Sequence, residues 1–394
     1  MKKNLSLVEK RKELKRQMSG YRALPEYILD GLGAVLQRLI NPRAAKARAS
    51  FLPPDASAQQ EESFPSYWLN GIIIAFFTFL VGWLVSMMEG HQLDSAELKL
   101  MSWSAFTGAL ALIVSKVNIR TFLNTFRQSC VDKMLHVADI DDLGKWLHDN
   151  FRLWTPLFSG LMVGPLLGKI LYDSWLLNSS NAAFHIGPFV TIVLSCIQAV
   201  WVAFYLYPFY VAFPSRLNRY HFDLYTSNPS SSEVVGQLSR LLTFILYATM
   251  GYIVQLTIGL TYINVLTTVN QNNTSPLSVP SSINPTPIVI FSVFVWAPTV
   301  ILYVAGQFHL SNVIMSAKWK ILNEIQTKVE NLYGSEKIPD KDMLDRLEKL
   351  MNYHDRIKNT PNSALDFRTG LNFLNSILLP ILAFFLTNVL SLFK

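Results

Sequence analysis

Seven stretches of this 394-residue chain are long, apolar and nearly free of charge, at about 67–88, 100–116, 154–177, 187–213, 238–266, 287–309 and 371–392. Each is near or above the ~17–25 residues that a helix needs to cross ~30 Å of hydrocarbon. Only helices and closed barrels satisfy their backbone polar groups in lipid, and runs of this length without strand alternation select helices. The fold class expected is therefore all-α: a polytopic membrane protein of about seven transmembrane helices. The second run is the most polar, because Ser102, Ser104, Thr107 and Ser115 dilute it.

Charge orients the helices. Only 15% of residues are charged, against ~25% in soluble domains, and the basic ones are not spread evenly. If the N-terminus is cytoplasmic and all seven runs cross, the inner segments hold 12 Lys and Arg in 1–64, 6 in 116–152, 3 in 214–240 and 10 in 309–370. That is 31 of 34, while 178–186 and 267–286 hold none. This obeys the positive-inside rule, so the expected orientation is N-in and C-out. Four segments follow: a basic N-terminal region (1–64), helices one to six (65–308), a cytoplasmic helical hairpin (309–370) and the last helix (371–394). The location expected is a membrane, crossed several times, the cell or inner membrane if the source is bacterial.

The N-terminal region carries seven positive charges between Lys2 and Arg16. Residues 25–40 place Ile28, Leu29, Leu32, Val35, Leu36 and Leu39 on one helix face, between Pro25 and Asn41-Pro42. A basic amphipathic segment of this kind suits an anionic lipid surface on the cytoplasmic face. No apolar core followed by a small-residue cleavage site marks a removed signal peptide. Aromatic residues Phe204, Tyr205, Tyr207, Phe209 and Tyr210 crowd the inner end of run four, where an interfacial belt is expected.

In 116–152, Asp139 is positioned to cap a short helix through Trp146 and Leu147. In 309–370, Leu310, Ile314, Ala317, Ile321, Ile325, Val329 and Leu332 repeat at helical spacing, so run six continues outward as one helix. A second helix after Pro339-Asp340 aligns Met343, Leu344, Leu347, Leu350, Met351, His354 and Ile357. Two such helices form an antiparallel hairpin, whose stripes face each other, the core or a second subunit.

No Walker A, GxGxxG, HExxH or GxSxG motif is present, so the chain is not expected to be an enzyme and no cofactor is implied. Cys130 and Cys196 stand alone, and the seven histidines form no His-x-x-x-His pair, so no metal site is expected. The patterns that remain lie in the apolar runs. Gly160, Gly164 and Gly168 form a ladder on one face with Pro165 inside it. Such a ladder admits another backbone closely, as a packing seam, a subunit contact or a hinge. Lys169 and Asp173 are the charges deepest in a run; they read as an i,i+4 pair that snorkels to the outer interface or faces an aqueous vestibule. In run seven, Ser376, Pro380, Ala383, Thr387 and Ser391 make a small, weakly polar stripe with Asn372 beside it, suited to helix packing or to a pore wall. Gly251, Gln255 and Gly259 in run five read as packing, with Gln255 as an interhelical hydrogen bonder.

Seven spans, an inner helical extension before the last span and a small-polar last span resemble the layout of the insect odorant and gustatory receptor-like channels. The resemblance lies in topology. It implies an oligomer whose last helix lines the pore and whose inner helices hold subunits together. An oligomeric ion channel or pore is thus the first functional expectation. A scaffold or sensor that binds an inner-face partner or anionic lipid is the second, and a secondary transporter the third. The partners expected are the lipid bilayer and further copies of the chain; no nucleic acid is expected.

Overall fold

The structure, a computed structural model, describes residues 6–40, 64–178, 184–273, 286–333 and 341–363. These form helices α1 (Leu7–Gly20), α2 (Leu24–Ile40), α3 (Phe64–Met88), α4 (Ser95–Thr125), α5 (Val137–Asn150), α6 (Trp154–Asn178), α7 (Ile186–Tyr207), α8 (Phe213–Leu217), α9 (Glu233–Asn273), α10 (Thr286–Tyr333) and α11 (Lys341–Lys358). Among the described residues the one pairing of extended backbone is an isolated bridge between Met134 and Phe222. The expected all-α class is what the described chain shows.

Among the described residues, five helices are long and apolar enough to cross a membrane: Trp68–Met88, Glu97–Lys133, Trp154–Asp173, Ile186–Tyr205 and Glu233–Ile253. That is the architecture of a multi-pass membrane protein. Run seven lies outside the described residues, and so do the side chains of run six as far as residue 303. The polar residues of run two do not weaken it. Ser104, Thr107 and Ser115 are buried against other helices, and Ser102 donates its hydroxyl to the Leu98 carbonyl 2.7 Å away.

Local chemistry sets the helix ends. Asp94 and Glu97 form a capping box at the start of α4, each side chain accepting from the other's backbone N–H. Gly90 ends α3 with φ +70, a left-handed conformation that glycine reaches at little cost. The His91 N–H reaches the Ser86 carbonyl (3.1 Å) and the Gly90 N–H the Met87 carbonyl (3.0 Å), the two bonds of a Schellman ending.

The bundle is organised around α7. Helices α3, α4 and α6 all pack on it, α9 packs on α4, and α10 on α9. The largest core lies at one end, where the basic segments gather. Leu14 and Met18 of α1, Phe122 and Phe126, Leu143 and Leu147 of α5, Phe209, Phe213, Val235, Leu238 and Ile314 share it. Phe122 stacks edge-on to Phe213 at 4.7 Å and tilted on Phe209 at 4.6 Å. Tyr205 and Phe209 are thus 2% and 5% exposed, members of this core and not of an interfacial belt. Their apolar area and aromatic pairing are spent on protein contacts. π-helical turns at Phe126–Cys130 and Pro208–Ala212 carry the chain around this cluster.

Helix α10 runs without a break from run six into the basic end, as the periodicity predicts, and α11 folds back on it. Leu322, Ile325 and Val329 meet Leu347 and Ile357, so the stripes of the hairpin face each other. Leu344 and Met351 from the same expected face stay 51% and 54% exposed. Asp139 does not cap its own helix. It lies in the first turn of α5, whose N-cap is His136, and its carboxylate accepts from the His221 N–H at 2.8 Å.

Candidate functional site

The glycine ladder faces α7. A methyl group built on Gly164 would stand 2.5 Å from Ile197 Cγ1 and 2.8 Å from its Cα. On Gly168 it would meet Val193 Cα at 2.9 Å, and on Gly160 the Trp201 indole, with Cε2 at 3.1 Å. The three glycines four apart thus receive Val193, Ile197 and Trp201, also four apart, along two antiparallel helices. Real carbon contacts need ~3.5–4.0 Å, so no larger residue fits without a shift. The helix is continuous through Pro165. A second seam, not visible as a repeat, joins α3 to α7: a methyl on Gly82 would come 2.8 Å from the Gly187 carbonyl oxygen, and one on Gly187 2.6 Å from that of Gly82. By contrast, among the described residues nothing lies within 4 Å of a methyl group built on Gly251.

Polar side chains inside the bundle pair across helices. Gln198 Nε2 donates to Thr78 Oγ1 (3.2 Å), Gln255 Nε2 to Thr107 Oγ1 (3.1 Å) and Asn118 Nδ2 to Thr249 Oγ1 (3.4 Å). These couple α7 to α3, and α9 to α4. The buried carbonyl oxygens of Gln198, Asn118 and Gln255 have no protein donor among the described residues, so the seam holds acceptors for small polar species.

Lys169 and Asp173 sit on the uncovered part of α6. The ammonium is 2.7 Å from the Asp173 carboxylate, and the side chains are 66% and 48% exposed. Neighbouring Leu166 and Ile170 are 65% and 61% exposed. Asn372, Ser376, Ala383, Thr387 and Ser391, the small-polar stripe of run seven, lie outside the described residues.

At the basic end, α2 enters the bundle. Leu29 is buried among Ile74, Ala109, Ala111, Leu112 and Val202 of three spanning helices. Asn70 donates to the Leu29 carbonyl (3.0 Å), and the Leu24 N–H donates to Tyr205 Oη (2.9 Å). Two carboxylates enter with it. Glu26, wholly buried, lies 2.8 Å from Arg120 Nε, and Asp30 pairs with the 2%-exposed Lys116. Burial pushes the Glu26 carboxyl up to about 7, against the pull of Arg120 and Lys116. The basic residues of α1 are also engaged. Lys10 bonds Asp141 (2.7 Å), Lys15 bonds Asp132 (2.5 Å) and Arg11 donates to the Met134 carbonyl (2.5 Å).

The opposite end carries a cluster that local reading misses. His91 Nε2 lies 2.8 Å from Glu97 Oε2, and His185 Nε2 lies 3.9 Å from Glu97 Oε1. The two imidazoles stack with centroids 3.5 Å apart and planes 11° from parallel. Glu97 is 4% exposed. Glu89 accepts from the backbone N–H of Ile186 (3.0 Å) and Gly187 (3.4 Å) at the start of α7, where a carboxylate is favoured by the helix dipole. No i,i+4 histidine pair announces this group, because its members come from a turn, a helix start and a loop. The one local sign is the Asp94-Ser95-Ala96-Glu97 capping box beside His91.

No protein-family model, no curated protein and no solved structure matches this chain.

Proposed function

We propose that the chain is a subunit of an oligomeric membrane channel or pore, with its N-terminus cytoplasmic and its last apolar run beside the permeation path. The observation that carries this reading is how the chain is delivered to that run. Lys318 of α10, 7% exposed, donates to the Thr360 carbonyl and to Asn362 Oδ1, both at 2.8 Å. Ser311 donates to the Asn362 carbonyl at 2.6 Å. These bonds hold Thr360 and Asn362, the latter nine residues before the last apolar run, against a helix that is continuous from run six into the hairpin. In this reading the anchor at Thr360 and Asn362 is where a movement of the hairpin would reach the last run, as a gate requires.

A scaffold or sensor is the second reading, and one observation favours it. Trp319, Leu344 and Met351, on the arms of the hairpin, are 59%, 51% and 54% exposed. In a channel these meet a neighbouring subunit; in a scaffold they meet another protein. The anionic-lipid version of this reading is weaker, since Lys10, Arg11 and Lys15 already have partners within the chain.

Purified protein in liposomes tests the proposal. Ion flux under a voltage or osmotic gradient, together with a detergent-corrected mass of several chains, is the expected result. A monomer without flux overturns it.

A further inference from the structure

We propose that His91, Glu97 and His185 form a binding site for one divalent transition cation, zinc by its donor chemistry. This does not rest on the channel reading. The three ligand atoms, two imidazole nitrogens and a carboxylate oxygen, all lie within 4.8 Å of one another. Zinc takes imidazole nitrogen at ~2.0–2.1 Å and carboxylate oxygen at ~2.0–2.2 Å, so tetrahedral ligands stand about 3.3 Å apart. The His91 nitrogen lies 2.8 Å from one Glu97 oxygen and the His185 nitrogen 3.9 Å from the other, on either side of that value. Two imidazoles and one carboxylate exclude magnesium and calcium as preferred occupants, which select all-oxygen shells. Three protein ligands leave a fourth position for water or for an incoming group.

The site is held from outside as metal ligands usually are. The Glu97 carboxylate accepts from the Asp94 N–H at 3.0 Å, which fixes its rotamer. The backbone of His185 is gripped on both sides by Tyr172, whose hydroxyl donates to the His185 carbonyl (3.0 Å) and accepts from its N–H (2.9 Å). Tyr172 is itself fully buried and edge-on to Phe184 and Phe189. Left-handed Gly90 turns the chain so that His91 points back over the bundle end rather than continuing α3. Two stacked imidazoles beside one buried carboxylate gain little from each other when neutral, and repel when both are protonated. A cation shared by all three satisfies every member. It also ties the α3–α4 turn, the start of α4 and the start of α7 together at one point.

The test uses the full chain in detergent, tag removed and stripped with a chelator, titrated with zinc chloride by calorimetry. One zinc per chain is expected, with a rise in Tm on binding. His91→Gln and His185→Gln each weaken binding at least tenfold and abolish the rise, while His221→Gln, at the other end of the bundle, changes neither. If the two ligand variants do not fold, cobalt binding to the wild type decides. Tetrahedral d–d bands, with X-ray absorption showing two imidazoles and a carboxylate, support the site; octahedral cobalt or its absence overturns it. No saturable zinc binding by the wild type, unchanged binding in both ligand variants, or equal loss in His221→Gln also overturns it.

Discussion

Gly164 lies directly on the backbone of Ile197: a Cβ on it would be 2.8 Å from the Ile197 Cα and 2.9 Å from its nitrogen. A clash with a flexible side-chain tip can be relieved by a rotamer change. A clash with backbone moves a helix.

Gly164→Ala is therefore expected to destabilise by about 1–3 kcal/mol, the cost of overpacking a rigid contact, and Gly164→Leu to prevent assembly. Gly251→Ala, made where no described residue lies within 4 Å of the new methyl, removes the poor helix propensity of glycine and is expected to be neutral or to stabilise by up to ~1 kcal/mol. Fluorescence-detected size exclusion with a thermal ramp reads both. Equal Tm values for the two alanine variants would show that α6 is not seated on α7 as described.

The Lys169–Asp173 pair is exposed and one turn apart. Exposed i,i+4 pairs contribute ~0.3–0.5 kcal/mol. Lys169→Met is expected to shift Tm by no more than a degree or so. A drop as large as that of Gly164→Ala would place the lysine inside an interface.

Glu26 makes stability depend on pH in a direction opposite to that of a salt-bridged carboxylate. Its folded pKa is raised to about 7 from 4.5, mainly by burial. Arg120, Lys116 and Asp30 are the charged groups that face it. The folded protein thus holds a proton there that the unfolded chain has released. The stability this proton confers is fully present below 4.5 and is lost as pH rises through 7, at no more than ~1.4 kcal/mol per pH unit. Glu26→Gln carries no such proton, so the wild type's Tm should fall relative to that variant between pH 4.5 and 7.5. Parallel curves would show that Glu26 stays ionised throughout.

Lys318→Met keeps the bulk of the side chain and removes its donors to Thr360 and Asn362. Leaving those acceptors unmatched is expected to cost about 1–3 kcal/mol. Hydrogen exchange should quicken across 341–363 while α7 keeps its protection. Unchanged exchange there would mean that the hydrophobic contacts of α11 alone hold the hairpin.

The helices, the continuity of α10 and the antiparallel hairpin were legible because each rests on a local period: long apolar runs, or Leu310 through Leu332 at 3.6 spacing. The basic-end core was not. Ile140, Leu143, Trp146 and Leu147 mark one short amphipathic helix, but nothing local says that Leu14 and Met18 cover it or that Asp141 and Asp132 neutralise Lys10 and Lys15 more than a hundred residues away. Tyr205 and Phe209 of run four belong to this core although the sequence suggests a belt, since interfacial and core aromatics share one composition. The group formed by His91, Glu97 and His185 escaped for the same reason as the Gly82–Gly187 seam: its members meet only once three helices are in place.

The seat of α2 has a consequence for how the chain is made. Its partners are Asn70, Ala109 to Arg120 and Val202 to Tyr205. Residues 24–32 leave the ribosome before any of them, and their seat is complete only once the chain has been synthesised past residue 205. Its carboxylates tie an early segment to a later one: Glu26 and Asp30 reach Arg120 and Lys116 of α4, and Tyr205 of α7 then closes over the Leu24 N–H.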